Sequence, residues 1–96
     1  GKAYLLIGDL YAGSRALYSA DKLGGAGVFI AAVNKYIQAR QADADLTEKV
    51  NEKIVKYMAY YPCKNDAFFN GINAGDAFVL GGWISENITV KTRDCN

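Results

Sequence analysis

The stretch Asp45-Leu-Thr-Glu-Lys-Val-Asn-Glu-Lys-Ile-Val-Lys-Tyr-Met-Ala-Tyr-Tyr-Pro-Cys63 carries the clearest helical signal in the chain, and it ends on a cysteine. Leu46, Val50, Ile54, Tyr57, Met58 and Tyr61 recur at the spacing of one apolar helical face, while Glu48, Lys49, Asn51, Glu52, Lys53 and Lys56 fill the other. The pattern predicts an amphipathic helix with one side for a core. Asp45 with Glu48 three residues on reads as a capping box, with Thr47 a rival cap. Pro62 cannot continue the helix and biases Tyr61 out of the helical region. Cys63 therefore stands just past the helix end, well placed for a staple.

A chain of 96 residues makes one domain, large enough for a core and small enough for a disulfide to matter. With 51% apolar and 22% charged residues, usage is that of a globular protein, which excludes disorder and fibrous repeats. Net charge is +1 and there is no Lys/Arg run, so the electrostatic footprint of a nucleic-acid binder is missing. The two cysteines, Cys63 and Cys95, occur without a CxxC and without any histidine, a poor metal set. Their even number, and the placement of Cys95 in a tail that would otherwise fray, favour a Cys63–Cys95 disulfide. That places the protein in an oxidising compartment, periplasmic or secreted. Gly1-Lys2-Ala3 leads straight into helical pattern, so we expect a mature chain from which an export segment has been removed.

Upstream, Ala3 to about Asp21 reads as one helix with Leu6, Leu10, Gly13 and Leu17 as its stripe. Gly8, Ala12, Ala16 and Ala20 form a row of small residues suited to close helix packing. Gly24-Gly25-Ala-Gly27 reads as a cap and turn, since no strand precedes it and no GK[ST] follows. A second helix runs from about Val28 to Arg40, with Phe29, Val33, Tyr36 and Ile37 on its buried face, and the short link to the next helix predicts antiparallel packing. Downstream, Asp66 caps a helical stripe of Phe69, Ile72, Asp76, Val79, Leu80 and Trp83, and Gly71 and Gly75 form a notch for a neighbouring helix. Asn70, Asn73 and Asp76 within this apolar run argue against a membrane span. Ile88 to Thr92 alternates as an extended tail running back towards Cys63 without building a sheet. The expected fold is all-α: a single domain over residues 1–96, a small bundle of about four helices with one disulfide and an extended C-terminal tail.

The lack of histidine excludes histidine triads and imidazole general-base chemistry. Asp9, Asp21, Asp66 and Asp76 leave room for a carboxylate pair, with Asp76 the most interesting because it falls on an apolar face. Asn87-Ile-Thr89 matches a glycosylation acceptor. Seven tyrosines, four phenylalanines and one tryptophan exceed what one core face takes up, and Tyr57, Tyr60 and Tyr61 cannot all point the same way on a helix. Exposed tyrosines anchor interfaces. We therefore expect no enzyme, cofactor or metal but a protein-binding module, with Tyr57, Tyr60, Tyr61, Lys64, Phe68 and Asn70 as candidate contact residues.

Three segments carry a family likeness: Tyr4-Leu-Leu-Ile-Gly-Asp-Leu-Tyr-Ala-Gly, Val28-Phe-Ile-Ala-Ala-Val-Asn-Lys-Tyr-Ile-Gln-Ala-Arg, and Val50 to Tyr57 closing on Tyr61-Pro-Cys63. Over about residues 4 to 63 the chain resembles the Rap/Tai type of periplasmic immunity protein. It departs from that pattern in lacking cysteines before and within the first helix, and in carrying a segment, Lys64 to Asn96, that supplies its own Cys95. The resemblance implies an exported helical protein, often a homodimer, that neutralises a peptidoglycan hydrolase toxin of a type VI secretion system by steric occlusion. Two rivals come from other classes: a periplasmic chaperone or pilotin-like helper holding a peptide in a groove around Gly71 and Gly75, and a small secreted enzyme using Asp76 with a second carboxylate.

Overall fold

The computed structural model describes residues 1–95, and its centre is the helix that precedes the one ending near Cys63. The chain runs through α1 (Lys2–Ala12), a 3-10 turn (Arg15–Tyr18), α2 (Gly27–Ala42), a second 3-10 turn (Ala44–Leu46), α3 (Thr47–Met58), α4 (Lys64–Phe69), β1 (Ala77–Leu80) and β2 (Glu86–Thr89). Every residue of α2 from Gly27 to Val33 is buried, and Tyr36 and Ala39 continue the burial, so this helix is apolar on all sides over its first two turns. A helix of that kind is stable only when enclosed. Elements α1, α3 and β2 and both 3-10 turns pack on it. The four-residue face expected from the sequence was therefore too narrow.

Helix α1 meets α2 through Leu5, Gly8 and Tyr11, not through the leucine stripe. Leu6, Leu10 and Leu17 are exposed. The reason is Gly8: a β-carbon there would lie 2.6 Å from the Tyr36 ring, so the helix is rotated to seat that ring against bare backbone. The helix also stops early. Ser14 Oγ donates to the Leu10 carbonyl at 2.8 Å and Ser14 N to Tyr11 O, which tightens the chain into the 3-10 turn, so Ala16 and Ala20 never join a continuous helical row. At the next turn Gly25 has a φ of +83° and its α-carbon faces Arg15 O, where a β-carbon would come within 2.5 Å. Only glycine fits that approach.

Helix α3 buries Val50 and packs Ile54 and Tyr57 against the core, with Leu46 beside them at the end of the preceding 3-10 turn, as the pattern predicts, while Met58 is exposed. No Asp45–Glu48 capping box forms. Asp43 instead caps the preceding 3-10 turn by accepting from Asp45 N at 3.0 Å.

The segment after Cys63 corrects the all-α expectation. Helix α4 ends at Phe69, and Ala77–Leu80 pairs antiparallel with Glu86–Thr89 in the register Ala77↔Thr89, Phe78↔Ile88, Val79↔Asn87, Leu80↔Glu86. Over the described residues the protein is mostly helical with one small two-stranded sheet. Gly71, Gly75 and Gly82 sit at positive φ, which a continuous helix does not allow, and the apolar period switches to two: Phe78 and Leu80 with Ile88 and Val90 turn inward, Ala77 and Val79 outward. Gly71 and Gly75 are thus turn residues and notch no helix. The tail does return to Cys63, and it builds a sheet on the way. Tyr18 Oη locks the hairpin loop, donating to Gly81 O at 2.6 Å and accepting from Ile84 N at 3.2 Å. Among the described residues no helix is long and apolar enough to cross a membrane.

Cys63 and Cys95 are joined, closing a separation of 32 residues. Replacing both by alanine is expected to lower stability by about 3 to 4 kcal/mol, from the loop entropy returned to the unfolded chain; denaturant melts of the pair variant check this. Gly8→Ala is expected to cost roughly 1–3 kcal/mol by overpacking the Tyr36 ring. Gly13→Ala, whose β-carbon would meet nothing closer than 3.6 Å, is expected to be neutral or to gain up to about 1 kcal/mol. Equal midpoints for the two variants would contradict the seating of Tyr36 on Gly8.

Candidate binding site beside the disulfide

The tail is fastened to the segment that joins α3 to α4 at several points within a few residues. Arg93 N donates to Pro62 O at 3.0 Å, Lys64 N donates to Arg93 O at 2.9 Å, and Arg93 Nε donates to Tyr61 O at 2.9 Å. The Cys63–Cys95 bond closes the same clasp. Beneath it, Val90 packs with Leu23, Ala67 and Ile72 in a second, smaller core. Three distant parts of the chain meet there: the loop at Leu23, helix α4 and the tail.

Their meeting leaves an open cleft of about 370 Å³. Its wall includes Tyr60, Tyr61, Cys63, Asp66 and Asn70 together with three cations, Arg15, Lys22 and Arg93. Of the candidate contact residues, Tyr60 is exposed on the rim, and Asn70 closes α4, its side-chain amide donating to Asp66 O at 2.9 Å. Tyr61 lines the cleft but is 95% covered, being 5% exposed, so it offers wall and not reach. Lys64 and Phe68 lie outside the lining on the exposed side of α4; Phe68 and its neighbour Phe69 are 66% and 85% exposed. Tyr57 is drawn inward, stacked between Phe29 at 5.6 Å and Tyr36 at 6.0 Å. The sequence reading missed the three cations. Arg93 was reachable from its position two residues before Cys95; nothing local to Arg15 or Lys22 points to a site.

The aromatic stack extends from the cleft into the core. Tyr60 lies 5.3 Å from Phe29, Phe29 stacks on Tyr57, and Tyr57 on Tyr36, whose hydroxyl donates to Asp9 Oδ1 at 2.6 Å. Lys53 Nζ donates to the same oxygen at 3.0 Å, which ties α1, α2 and α3 together at one carboxylate. A second clip has the same parts: Tyr11 donates to Glu86 in β2, and Lys35 lies 3.5 Å from Glu86. Burial and then the bond to Glu86 push the Tyr11 phenol up to about 12. Tyr36 rises further from burial and its bond to Asp9, and Tyr61 rises from burial. For Asp9 burial acts upward, but the Tyr36 and Lys53 hydrogen bonds and the Lys53 and Lys49 charges outweigh it and hold the carboxyl below its ordinary value.

Three of the four candidate carboxylates have separate structural duties. Asp9 serves the first clip; Asp21 Oδ1 accepts from Leu23 N and Gly25 N; Asp76 Oδ2 accepts from Asn73 N in an exposed turn. Asp76 therefore lies on no apolar helical face. Only Asp66 borders the cleft. Among the described residues no cluster of three or more histidine, cysteine, aspartate or glutamate side chains has the arrangement of a metal site.

Raised tyrosines favour the neutral phenol in the folded state. Their contribution to stability is full below about pH 10, the unfolded value, and is lost as pH rises through the folded values. Asp9 acts oppositely: its contribution is present above about pH 4 and is lost as pH falls through its depressed folded value. In an absorbance titration near pH 10, Tyr11, Tyr36 and Tyr61 are expected to withhold their phenolate signal until the chain is unfolded in denaturant. Identical native and unfolded titration curves would contradict the two clips. No protein-family model matches the chain, and neither do the curated proteins or solved structures with which it was compared.

Proposed function

We propose that this chain is an exported binding protein of the immunity or inhibitor type, which neutralises a cell-wall-degrading toxin by steric occlusion. The observation that carries the reading is the exposed aromatic group Tyr60, Phe68 and Phe69 on either side of a corner clamped by the Cys63–Cys95 bond. Large apolar side chains held out in water on a braced segment lose little entropy on docking, which is the economy of an interface anchor. The disulfide suits an oxidising compartment, where cell-wall hydrolases act. The absence of histidine from the sequence and the structural duties of Asp9, Asp21 and Asp76 favour binding over turnover. The choice of a hydrolase toxin as partner comes from the resemblance to the Rap/Tai immunity proteins.

A pull-down from the source organism with the oxidised chain is expected to recover a peptidoglycan hydrolase whose activity falls on binding. Phe68→Ser with Phe69→Ser is expected to weaken that capture at least tenfold without lowering the melting temperature, because both rings are mainly exposed. Recovery of no cell-wall hydrolase, or full capture by the double variant, would overturn the reading.

A further inference from the structure

We infer that the cleft beside the disulfide receives an acidic segment of the protein partner, with a carboxylate side chain between Arg15, Lys22 and Arg93 and an apolar neighbour against the cleft wall. The inference names the chemistry of the partner's surface and rests on the binding-protein reading above.

The charges argue for it first. The lining carries three cations against one carboxylate, Asp66, in a chain whose net charge is only +1. Among the described residues the ion pairs are Lys35–Glu86 and Lys53–Asp9; Arg15, Lys22 and Arg93 take part in neither. The two guanidinium groups are also partly oriented in advance. Arg93 gives its Nε–H to Tyr61 O at 2.9 Å, and Arg15 gives its Nε–H to Gly24 O at 3.5 Å with its guanidinium 5.8 Å from the centre of the Phe29 ring. In both cases the anchoring uses Nε alone, and the terminal nitrogens make no hydrogen bond among the described residues. Those terminal N–H groups form the planar forks that suit a carboxylate.

The walls decide between a peptide and a free anion. Leu23, Ala26, Tyr61, Pro62 and Ala67 give the cleft an apolar side that a small inorganic anion would leave uncovered. A volume of about 370 Å³ takes a few side chains of a loop. The low net charge and the absence of a basic run set nucleic acid aside. Position strengthens the case: Tyr60 on the rim belongs to the aromatic group proposed as the contact surface, so a partner docked there presents a loop to the cleft.

The test is selection from a displayed library of random peptides on the oxidised full chain, followed by titration of the selected sequences. Expected are peptides rich in Asp or Glu beside an aromatic or aliphatic residue. Their affinity should fall about tenfold or more with Arg15→Gln, Lys22→Gln or Arg93→Gln, fall with added salt, and vanish when Glu is replaced by Gln in the peptide. Three variants from separate segments guard against a folding defect in any one, and unchanged circular dichroism qualifies each. Selection without acidic enrichment, or binding indifferent to all three variants, overturns the inference. So does displacement of the peptide by inorganic phosphate at equal concentration, which would mark a small-anion site. Hydrolase capture that survives all three variants refutes the cleft and spares the proposed function; acidic peptides bound through the cleft with no hydrolase captured refute the function and spare the cleft.

Discussion

Enclosure of α2 is the constraint from which the remaining structure follows. Its buried run from Gly27 to Val33 has no polar side to turn to water, so α1, α3 and β2 must each cover part of it. Truncating one of its larger side chains, such as Ile30 at 0% exposed, would cost roughly 2–5 kcal/mol, a large share of the ~5–15 kcal/mol that separates a domain from its unfolded chain. The glycines follow the same requirement. Gly8 lets α1 approach the Tyr36 ring, and Gly27 lets Leu80 and Ile88 of the hairpin close over the start of α2, where a β-carbon would lie 3.3 Å from Leu80.

Covering elements need fastening, and the molecule uses polar clips for the helices and a covalent clasp for the tail. Each clip joins a tyrosine hydroxyl, a carboxylate and a lysine: Tyr36, Asp9 and Lys53 at one place, Tyr11, Glu86 and Lys35 at the other. A partly buried phenol needs an acceptor, and a charged acceptor gives the stronger bond. The disulfide acts where no comparable packing is available, at the small core of Leu23, Ala67, Ile72 and Val90. The cleft is the gap left beside the clasp, where the loop at Leu23, α4 and the tail come together. Two of its three cations are held there by backbone carbonyls, Arg93 by Tyr61 O and Arg15 by Gly24 O.

The legibility of the fold varied with the length of the signal. Helices α2 and α3 were readable because their patterns run over several turns, and Cys63 with Cys95 was readable from number and position. The hairpin was not. Phe69 to Trp83 offers apolar residues at helical spacing, and the competing evidence was four glycines whose backbone angles cannot be seen in a sequence; three of the residues that break the run, Gly71, Gly75 and Gly82, have positive φ. The leucines of α1 misled for another reason: Gly8 carries no hydrophobic weight, yet its bare backbone decided which face turned inward. Of the candidate site, the aromatic rim was legible as a surplus of tyrosine and phenylalanine, whereas the cations arrive from three separate segments and only the fold unites them.

The central claim is that α2 holds the fold while the clasp separately holds the cleft, and native-state hydrogen exchange with and without reduction of the disulfide tests it most directly. In the oxidised protein the amides of Lys64 and Arg93, both hydrogen bonded across the clasp, should be protected, and those of α2 should be the slowest in the chain. Reduction should release Lys64 and Arg93 by a large factor while the order of protection within α2 is kept. Collapse of α2 protection together with the clasp, or a clasp whose amides do not respond to reduction, would contradict the account.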